Sequence, residues 1–281
     1  MTKSGLLVLL LILVPFCATG TTILIPGNSD IFAATGTLPT LPYLVPSSTE
    51  FNGIGGQPND PRRLEGAVPP TIDISTPSNL WVVSFPSITG TVGFSGLAGD
   101  SRYASGPGGI RHAELDNGAA PWLSTNVTNT YRTAAGSPDV FETLTISGIQ
   151  KMDRVIFLVG VFWGPGLTTA PAARNEDNAD NQMVVHPLLG QTFYIGTGQT
   201  DLGAVRRFYA PIGATKLALG FADGWQFGTD DGGGVGPGWY GDNWGSLTAT
   251  VELDSHNPEP ATFVLIGLPL IGGWFVRRKR G

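Results

Sequence analysis

Short apolar runs, separated by glycine, proline, asparagine and aspartate, follow one another between residues 80 and 254 of this chain. Several of these runs alternate apolar and polar residues, which is the two-residue period of a strand with one buried face. Helical periodicity does not extend over ten residues anywhere in this region. The pattern predicts an all-β fold, and strands without intervening helices favour a jelly-roll-like β-sandwich.

The predicted strands differ in how they are buried. The run from 154 to 163 is apolar throughout, which predicts a strand covered on both faces. We expect one sandwich domain over residues 80–254, with strands at 80–85, 89–94, 140–146, 154–163, 191–195, 206–209, 216–221 and 246–253.

Residues 21–79 are rich in proline, glycine, serine and threonine, with a short predicted strand at Thr22–Ile25. Apolar residues recur through this stretch. An ordered, loop-rich lead-in to the sandwich is therefore favoured over a flexible linker.

The first 20 residues have the order of a secretory signal peptide. Lys3 precedes an unbroken apolar run, Leu6–Val14, and Pro15 ends that run before the small residues at 18–20. The run is short for a transmembrane helix, although an uncleaved anchor is the alternative. Because Cys17 is the only cysteine, cleavage near residues 18–20 would leave a chain that forms no disulfide.

Residues 255–281 form a three-part tail. Asn257 and a Pro-Glu-Pro triplet precede an uncharged, mostly apolar run, 261–276, and a basic cluster follows it. The run predicts a short transmembrane helix whose basic end stays in the cytoplasm. Pro269 and the glycines at 272 and 273 weaken it as a permanent anchor. The residues of the motif are Pro258, Glu259, Pro260, Arg277, Arg278, Lys279 and Arg280.

This tail resembles the sorting signal of PEP-CTERM proteins over residues 257–280. The resemblance implies recognition by an exosortase, transient anchoring in the inner membrane, cleavage near the triplet, and transfer to the cell surface or extracellular matrix. A plain C-terminal anchor with a chance Pro-Glu-Pro is the alternative.

Charge narrows the choice of partners. The chain has 16 basic and 22 acidic residues. Lys3 and the four basic residues at 277–280 belong to the signal and the tail, whereas Glu259 is the only acidic residue there. The body between them is therefore strongly acidic. This charge argues against nucleic acid and anionic membrane surfaces as partners, and it is compatible with binding of hard cations.

Oxygen-bearing side chains lie close to two predicted strand ends. Asp223 ends one strand, and Asp242 and Asn243 precede the next. If these strands are adjacent and antiparallel, the oxygens meet at one end of the fold. Carboxylate, amide and backbone carbonyl oxygens are the ligands of Ca²⁺. An ordinary hairpin with Asp and Asn capping its turns is the alternative.

Residues 190–253 also resemble the C-terminal half of calcium-dependent galactose-binding bacterial lectins. The resemblance implies a Ca²⁺ site formed by Asp223, Asp242, Asn243 and the carbonyl oxygen of Trp239. The insertion between Asp223 and Trp239 is longer than the lectin loop, and Asp242 replaces an asparagine. The segments that carry the resemblance are Gly190–Gly196, Phe208–Ala214, Leu217–Asp223 and Trp239–Thr248.

Aromatic residues crowd the same region, and Trp225, Tyr240 and Trp244 are candidates for stacking on a sugar. The alternative is that they fill the sandwich core. We expect a calcium-dependent carbohydrate-binding module for extracellular polysaccharide or another glycan. A structural matrix protein without a small ligand is one alternative, and an extracellular glycan hydrolase is another.

The sequence does not select catalytic residues, so we expect a protein that is not an enzyme. His112, Glu114 and Asp116 alternate, but they follow a glycine-rich stretch and are more typical of a solvated loop. The acidic segment at 175–181 is interpreted as a polar loop, with a second calcium site as the alternative.

Overall fold

A computed structural model describes residues 20–36, 66–74, 81–94, 103–111, 125–132, 141–223 and 240–255. Within these ranges the chain is mostly β-strand, arranged in several sheets, with almost no helix. The predicted all-β class is therefore confirmed. Three short 3-10 helices lie within the described residues, at Ile31–Ala33, Ala179–Asn181 and Tyr240–Asp242.

The largest sheet has six strands. It consists of β1 (Thr21–Pro26), β3 (Trp81–Gly93), β4 (Ala104–Ser105), β13 (Val184–Val185), β15 (Arg207–Tyr209) and β17 (Trp244–Ser255). The order is β1-β17-β3-β15-β13, and β4 pairs with β3. The antiparallel pair of β3 and β17 forms the centre of this sheet, and its register shifts between Thr250 and Glu252.

The second sheet has four antiparallel strands in the order β14-β11-β16-β2. Its members are β2 (Thr71–Asp73), β11 (Leu158–Trp163), β14 (Thr192–Tyr194) and β16 (Lys216–Phe221). Because β16 and β17 belong to different sheets, they do not form the adjacent antiparallel pair that would bring their ends together. Strands that are neighbours in the sequence need not be hydrogen-bonded partners. Here β16 pairs with β11 and β2, and β17 pairs with β1 and β3.

Seven further strands form smaller sheets. A three-stranded sheet has the order β12-β9-β6, and β10 pairs with β5 and β7 with β8. Their bounds are β5 (Ile110–Arg111), β6 (Thr125–Val127), β7 (Thr130–Arg132), β8 (Phe141–Thr143), β9 (Ile149–Lys151), β10 (Arg154–Val155) and β12 (Arg174–Asn175).

Strand β11 is covered on both faces, as its uninterrupted apolar sequence predicts. Leu158 and Phe162 belong to a core cluster that includes residues of both large sheets. Val159 and Val161 point to a second cluster, which includes the 3-10 helix at 31–33 and residues near β9. The alternation along β11 thus divides its side chains between two cores.

Two predicted strands, 80–85 and 89–94, form the single strand β3. The predicted run 154–163 is instead divided into β10 and β11, because the backbone turns at Ile156, where φ is 51°. A buried β-branched residue in this left-handed region is unusual. Nothing in the sequence marks this position as a break.

No helix in the described part of the chain is long and apolar enough to cross a membrane. The predicted signal peptide, the tail at 255–281 and its helix at 261–276 lie largely or wholly outside the described residues.

Candidate functional site

Tyr240 connects the end of β16 with the start of β17. Its hydroxyl donates to the Phe221 carbonyl oxygen at 3.0 Å and accepts the Asp223 backbone N–H at 3.0 Å. The ring is 2 % exposed and belongs to the core cluster that the two large sheets share. A core residue therefore fixes the backbone that positions Asp223.

Asp223 and Asn243 are the two predicted ligand residues whose side chains the structure brings together. Asn243 Nδ2 donates to Asp223 Oδ2 at 2.8 Å. Asp223 is only 1 % exposed, and Asn243 is half-buried. The Oδ1 atom of Asn243 is buried and has no hydrogen-bond partner. A buried carboxylate and a buried amide oxygen thus lie at the same corner of the fold.

Asp30 is a third polar residue of this corner, and the sequence analysis did not single it out. Its carboxylate accepts the Phe32 N–H at 2.9 Å and caps the 3-10 helix at 31–33. Its side chain also bonds to that of Tyr240. The backbone of Asp30 forms an isolated parallel bridge with Phe221, which places it beside the end of β16. An aspartate before an apolar pair is a weak helix-cap signal that could have drawn attention to it.

Burial controls the electrostatics of the corner. It raises the pKa of Asp30 to about 7, although hydrogen bonds from Phe32 and Tyr240 oppose the increase. Burial also raises the pKa of Tyr240 well above its usual value, and the nearby Asp30 and Asp223 carboxylates raise it further. The Tyr240 hydroxyl therefore stays protonated beside these two buried acidic residues.

The other predicted site residues are only partly described. Asp242 is the last residue of the 3-10 helix at 240–242, but its side chain lies outside the described part of the chain. Trp225 and Trp239 also lie outside it, as do the sorting residues at 258–260 and 277–280.

Two of the predicted stacking residues are placed by the structure. Trp244 begins β17 and is half-buried, with its ring against Gly93 and its Nε1 buried without a partner. The ring of Tyr240 lies in the core, as the core alternative for these aromatics states. This ring is not available to stack on a sugar, so the prediction that Tyr240 is a sugar-binding residue is wrong.

The residues of the corner fit a hard cation in their chemistry. Asp223 supplies carboxylate oxygens, and Asn243 supplies an amide oxygen that has no other partner. Among the described residues, no group of three or more His, Cys, Asp or Glu side chains could hold a metal. The other two ligands that the lectin resemblance implies, the Asp242 side chain and the Trp239 carbonyl oxygen, lie outside the described part of the chain.

The acidic segment at 175–181, which the sequence predicts as a polar loop, is partly buried in the structure. Asn175 pairs in parallel with β9, Glu176 and Ala179 are fully buried, and Asn175, Asn178 and Asn181 are exposed. Asp177 Oδ1 accepts the Met152 N–H at 2.6 Å. The segment is thus attached to the sheet by its backbone and by its carboxylates.

The ammonium group of Lys151, a residue of β9, contacts the oxygens of this segment that a metal cation would need. Its Nζ lies 2.9 Å from Asp153 Oδ1 and 3.1 Å from Asp180 Oδ2, and donates to the Glu176 carbonyl oxygen at 3.2 Å. Arg154 Nη2 also contacts Asp180 Oδ2, at 3.1 Å. Burial raises the pKa of Asp180, but the two cations outweigh burial and hold this pKa below its usual value. This arrangement contradicts the alternative of a second calcium site.

No protein-family model, curated protein or solved structure matches this chain.

Proposed function

We propose that this chain is an exported surface or extracellular-matrix protein with a calcium-dependent carbohydrate-binding module. The observation that carries the proposal is the 2.8 Å contact between Asp223 and Asn243, next to a buried amide oxygen without a partner. Two oxygen-bearing side chains held in a rigid, acidic corner are the beginning of a hard-cation site. The protein would act by binding and not by catalysis.

The module is proposed to be a jelly-roll-like β-sandwich over residues 80–254, joined by β1 and β2 from the lead-in at 21–79. The larger core cluster supports this architecture. It takes side chains from the six-stranded sheet, such as Phe85 and Phe208, and from the four-stranded sheet, such as Phe193 and Leu219. Inner faces of two sheets interdigitate in this way in a sandwich.

The proposed Ca²⁺ ligands are Asp223, Asp242, Asn243 and the carbonyl oxygen of Trp239. A bound Ca²⁺ ion would offer further coordination positions to neighbouring hydroxyl groups of a sugar. Asn243 would present its amide oxygen to the ion, because its amide nitrogen cannot act as a ligand. Asp223 would supply negative charge from a position that the hydrogen bonds of Tyr240 fix.

Trp225 and Trp244 are the proposed aromatic contacts to the sugar. Trp244 directly follows the ligand Asn243 and retains part of its surface. Apolar rings beside an ion complement the two faces of a sugar, which has C–H groups as well as hydroxyls. The core position of Tyr240 excludes its ring from this role.

The tail is proposed to deliver this module. An exosortase would recognise the Pro-Glu-Pro triplet at 258–260 while the run at 261–276 and the basic cluster at 277–280 hold the chain in the inner membrane. Cleavage would then release the module to the surface or matrix. The order of triplet, short apolar run and basic end supports this step.

A structural matrix protein is the second candidate, and exposed apolar residues favour it. Leu202 and Ile212 are 93 % and 87 % exposed, and Met183 and Val184 are exposed at β13, the edge of the six-stranded sheet. Within the described part of the chain β13 is an edge strand, and an edge strand with apolar side chains favours association between chains. This candidate predicts self-association that changes neither with calcium nor with soluble glycans.

A glycan array with the purified full chain tests the proposal. We expect binding with Ca²⁺ and loss of binding with EDTA. Asp223→Asn should abolish binding at a given Ca²⁺ concentration, while Asp73→Asn, on a side chain that is 74 % exposed, should not. An array without binding, or binding that EDTA and Asp223→Asn leave unchanged, would contradict the proposed function.

A further inference from the structure

The edge of the six-stranded sheet at β13 carries most of the exposed apolar side chains of the described residues. Eight large apolar side chains are exposed there, and six of them lie between residues 183 and 212. These six are Met183, Val184, Leu188, Leu202, Val205 and Ile212. The opposite edge of the same sheet, β1, contributes one, Leu24. Exposed apolar side chains concentrated in one region indicate an interaction surface.

One group of these side chains lies at the N-terminal end of β13. The loop at 199–205 runs beside the chain that leads into this strand. The Asp201 N–H donates to the Asp180 carbonyl oxygen at 3.0 Å, and the Arg207 N–H donates to the Met183 carbonyl oxygen at 2.8 Å. The exposed side chains at this end are those of Met183, Leu202 and Val205.

A second group lies at the C-terminal end of β13. The His186 ring stacks on Tyr209 with the ring centroids 4.5 Å apart. A Cβ atom on Gly213 would lie 3.8 Å from Leu189 Cδ2, so the chain after β13 passes close to the turn after β15. The exposed side chains at this end are those of Leu188 and Ile212. The centre of β13 thus has an apolar group on either side.

The backbone of Val184 is directed away from β15. Val184 is aligned in parallel with Arg207, whose N–H donates to the preceding carbonyl group, that of Met183. In this register residues 183 and 185 point their backbone groups towards β15, and Val184 points its N–H and carbonyl to the other side. Within the described part of the chain β13 is an edge strand, so that side faces outwards. Pro187 has no N–H and limits how far a further strand can pair.

We propose that a second copy of this chain docks at β13 and forms a closed dimer whose two-fold axis passes beside Val184. Opposite residues of an antiparallel pair exchange both N–H···O bonds with their Cα atoms about 5.5 Å apart, and Val184 of each copy would do so. The two-fold axis reverses the edge of the partner. The apolar group at one end of β13 in one copy therefore meets the group at the other end in its partner, and both leave water.

The charges along the edge are compatible with a second copy. Arg207 is exposed and lies beside Val184. Asp201 and Arg111 approach to 3.8 Å, and both side chains are about half exposed. Because the edge carries charges of both signs, two copies facing each other do not oppose two surfaces of a single sign. The edge is also self-complementary when reversed, which is what a two-fold interface requires.

The dimer goes beyond the proposed function, because it uses neither the corner at Asp223 nor the tail. The loss of calcium binding would leave it intact, and its own failure would leave the calcium site intact. It also differs from the open-ended association of a structural matrix protein, since a two-fold interface uses the same surface on both copies and closes on itself.

Sedimentation equilibrium of the full chain in EDTA tests the proposal. We expect the unmodified chain to be in equilibrium between monomer and dimer. Val184→Glu, which would place two carboxylates together at the axis, should be monomeric at the same concentrations. The control is Leu24→Glu, at a side chain that is 58 % exposed on the opposite edge, and it should dimerise like the unmodified chain. A monomeric unmodified chain, oligomers larger than a dimer, or equal association of the two variants would overturn the proposal.

A disulfide trap gives a second test that does not depend on adding a charge to β13. It uses a Cys17→Ser background, because Cys17 is the only cysteine. Val184→Cys should form a disulfide-linked dimer on oxidation, since Cα atoms about 5.5 Å apart suit a disulfide. Leu24→Cys should remain monomeric on a non-reducing gel. No linked dimer for Val184→Cys, or equal linkage at the two positions, would contradict the proposed interface.

Discussion

The side chains of Asp223 and Asn243 meet at 2.8 Å although their strands, β16 and β17, are hydrogen-bonded into different sheets. Tyr240 holds this junction together through the Phe221 carbonyl oxygen and the Asp223 N–H. The corner is therefore a product of how one sheet meets another. A ligand bound to Asp223 and Asn243 should therefore stabilise the contact between the two sheets.

Tyr240→Phe should destabilise the protein, because it removes the hydroxyl that satisfies a buried N–H and a buried carbonyl group. We expect the free energy of unfolding in urea to fall by about 1–3 kcal/mol. Thr248→Ala, at an exposed position of β17, serves as the control and should change this free energy by no more than about 0.5 kcal/mol. Equal stability of the two variants would argue against the role assigned to the hydroxyl.

Asp30 should make the stability depend on pH. Its pKa is about 7 in the folded protein and 3.8 in its ordinary state, so between these values the folded protein holds a proton that the unfolded chain has released. The free energy of unfolding should therefore fall as the pH rises through this window and level off above it. The full decrease is up to about 4 kcal/mol.

Asp30→Asn provides the comparison, since the amide oxygen can still accept the Phe32 N–H while the side chain no longer ionises. Urea unfolding from pH 4 to pH 8 in EDTA should show a variant that gains stability relative to the unmodified chain as the pH rises. Parallel pH profiles for the two proteins would exclude Asp30 as the source.

Lys151→Met should disrupt the acidic segment, because it removes a fully buried ammonium group that contacts the carboxylates of Asp153 and Asp180. Removing one partner of a buried ion pair costs about 3–5 kcal/mol. The matched control is Lys216→Met, since Lys216 pairs with the exposed Asp73 and should contribute no more than about 1 kcal/mol. Denaturant unfolding measures both, and similar losses would refute the central role of Lys151.

Replacing Pro258, Glu259 and Pro260 by alanine should leave the chain uncleaved in the membrane fraction. Cleavage by an exosortase depends on the triplet, according to the resemblance of the tail. The control is Pro269→Ala in the apolar run, which should still be processed. Mass spectrometry of the C-terminus, in a host that expresses an exosortase, measures both. The same processed C-terminus in the two variants would contradict the sorting assignment.

The sequence predicted the strands better than it predicted their partners. The two-residue period identified β3 and β17, and the unbroken apolar run identified β11 as buried on both faces. Strand pairing depends on contacts between distant segments, which local periodicity does not encode. For this reason the sequence does not show that β16 and β17 lie in two different sheets.

The candidate site shows the same limit. Asp223 and Asn243 could be predicted because their side-chain oxygens lie at two strand ends and because the lectin resemblance implies both as ligands. Asp30 offers only a weak helix-cap signal, and its place at the corner cannot be predicted, because 193 positions separate it from Asp223 and the bridge to Phe221 is a contact between distant segments. The burial of Lys151 could not be predicted from the sequence either, since a lysine in a polar stretch is usually exposed.

Isothermal titration of the full chain with Ca²⁺ tests the central claim most directly. The account predicts binding of Ca²⁺ to the unmodified chain, at least about tenfold weaker binding to Asp223→Asn, which loses about 1.4 kcal/mol, and unchanged binding to Asp73→Asn. At a free Ca²⁺ concentration of about 100 times Kd, the ion should add about 2.7 kcal/mol to the free energy of unfolding. A titration without binding heat, together with a Tm that EDTA does not change, would contradict the calcium site and the function built on it.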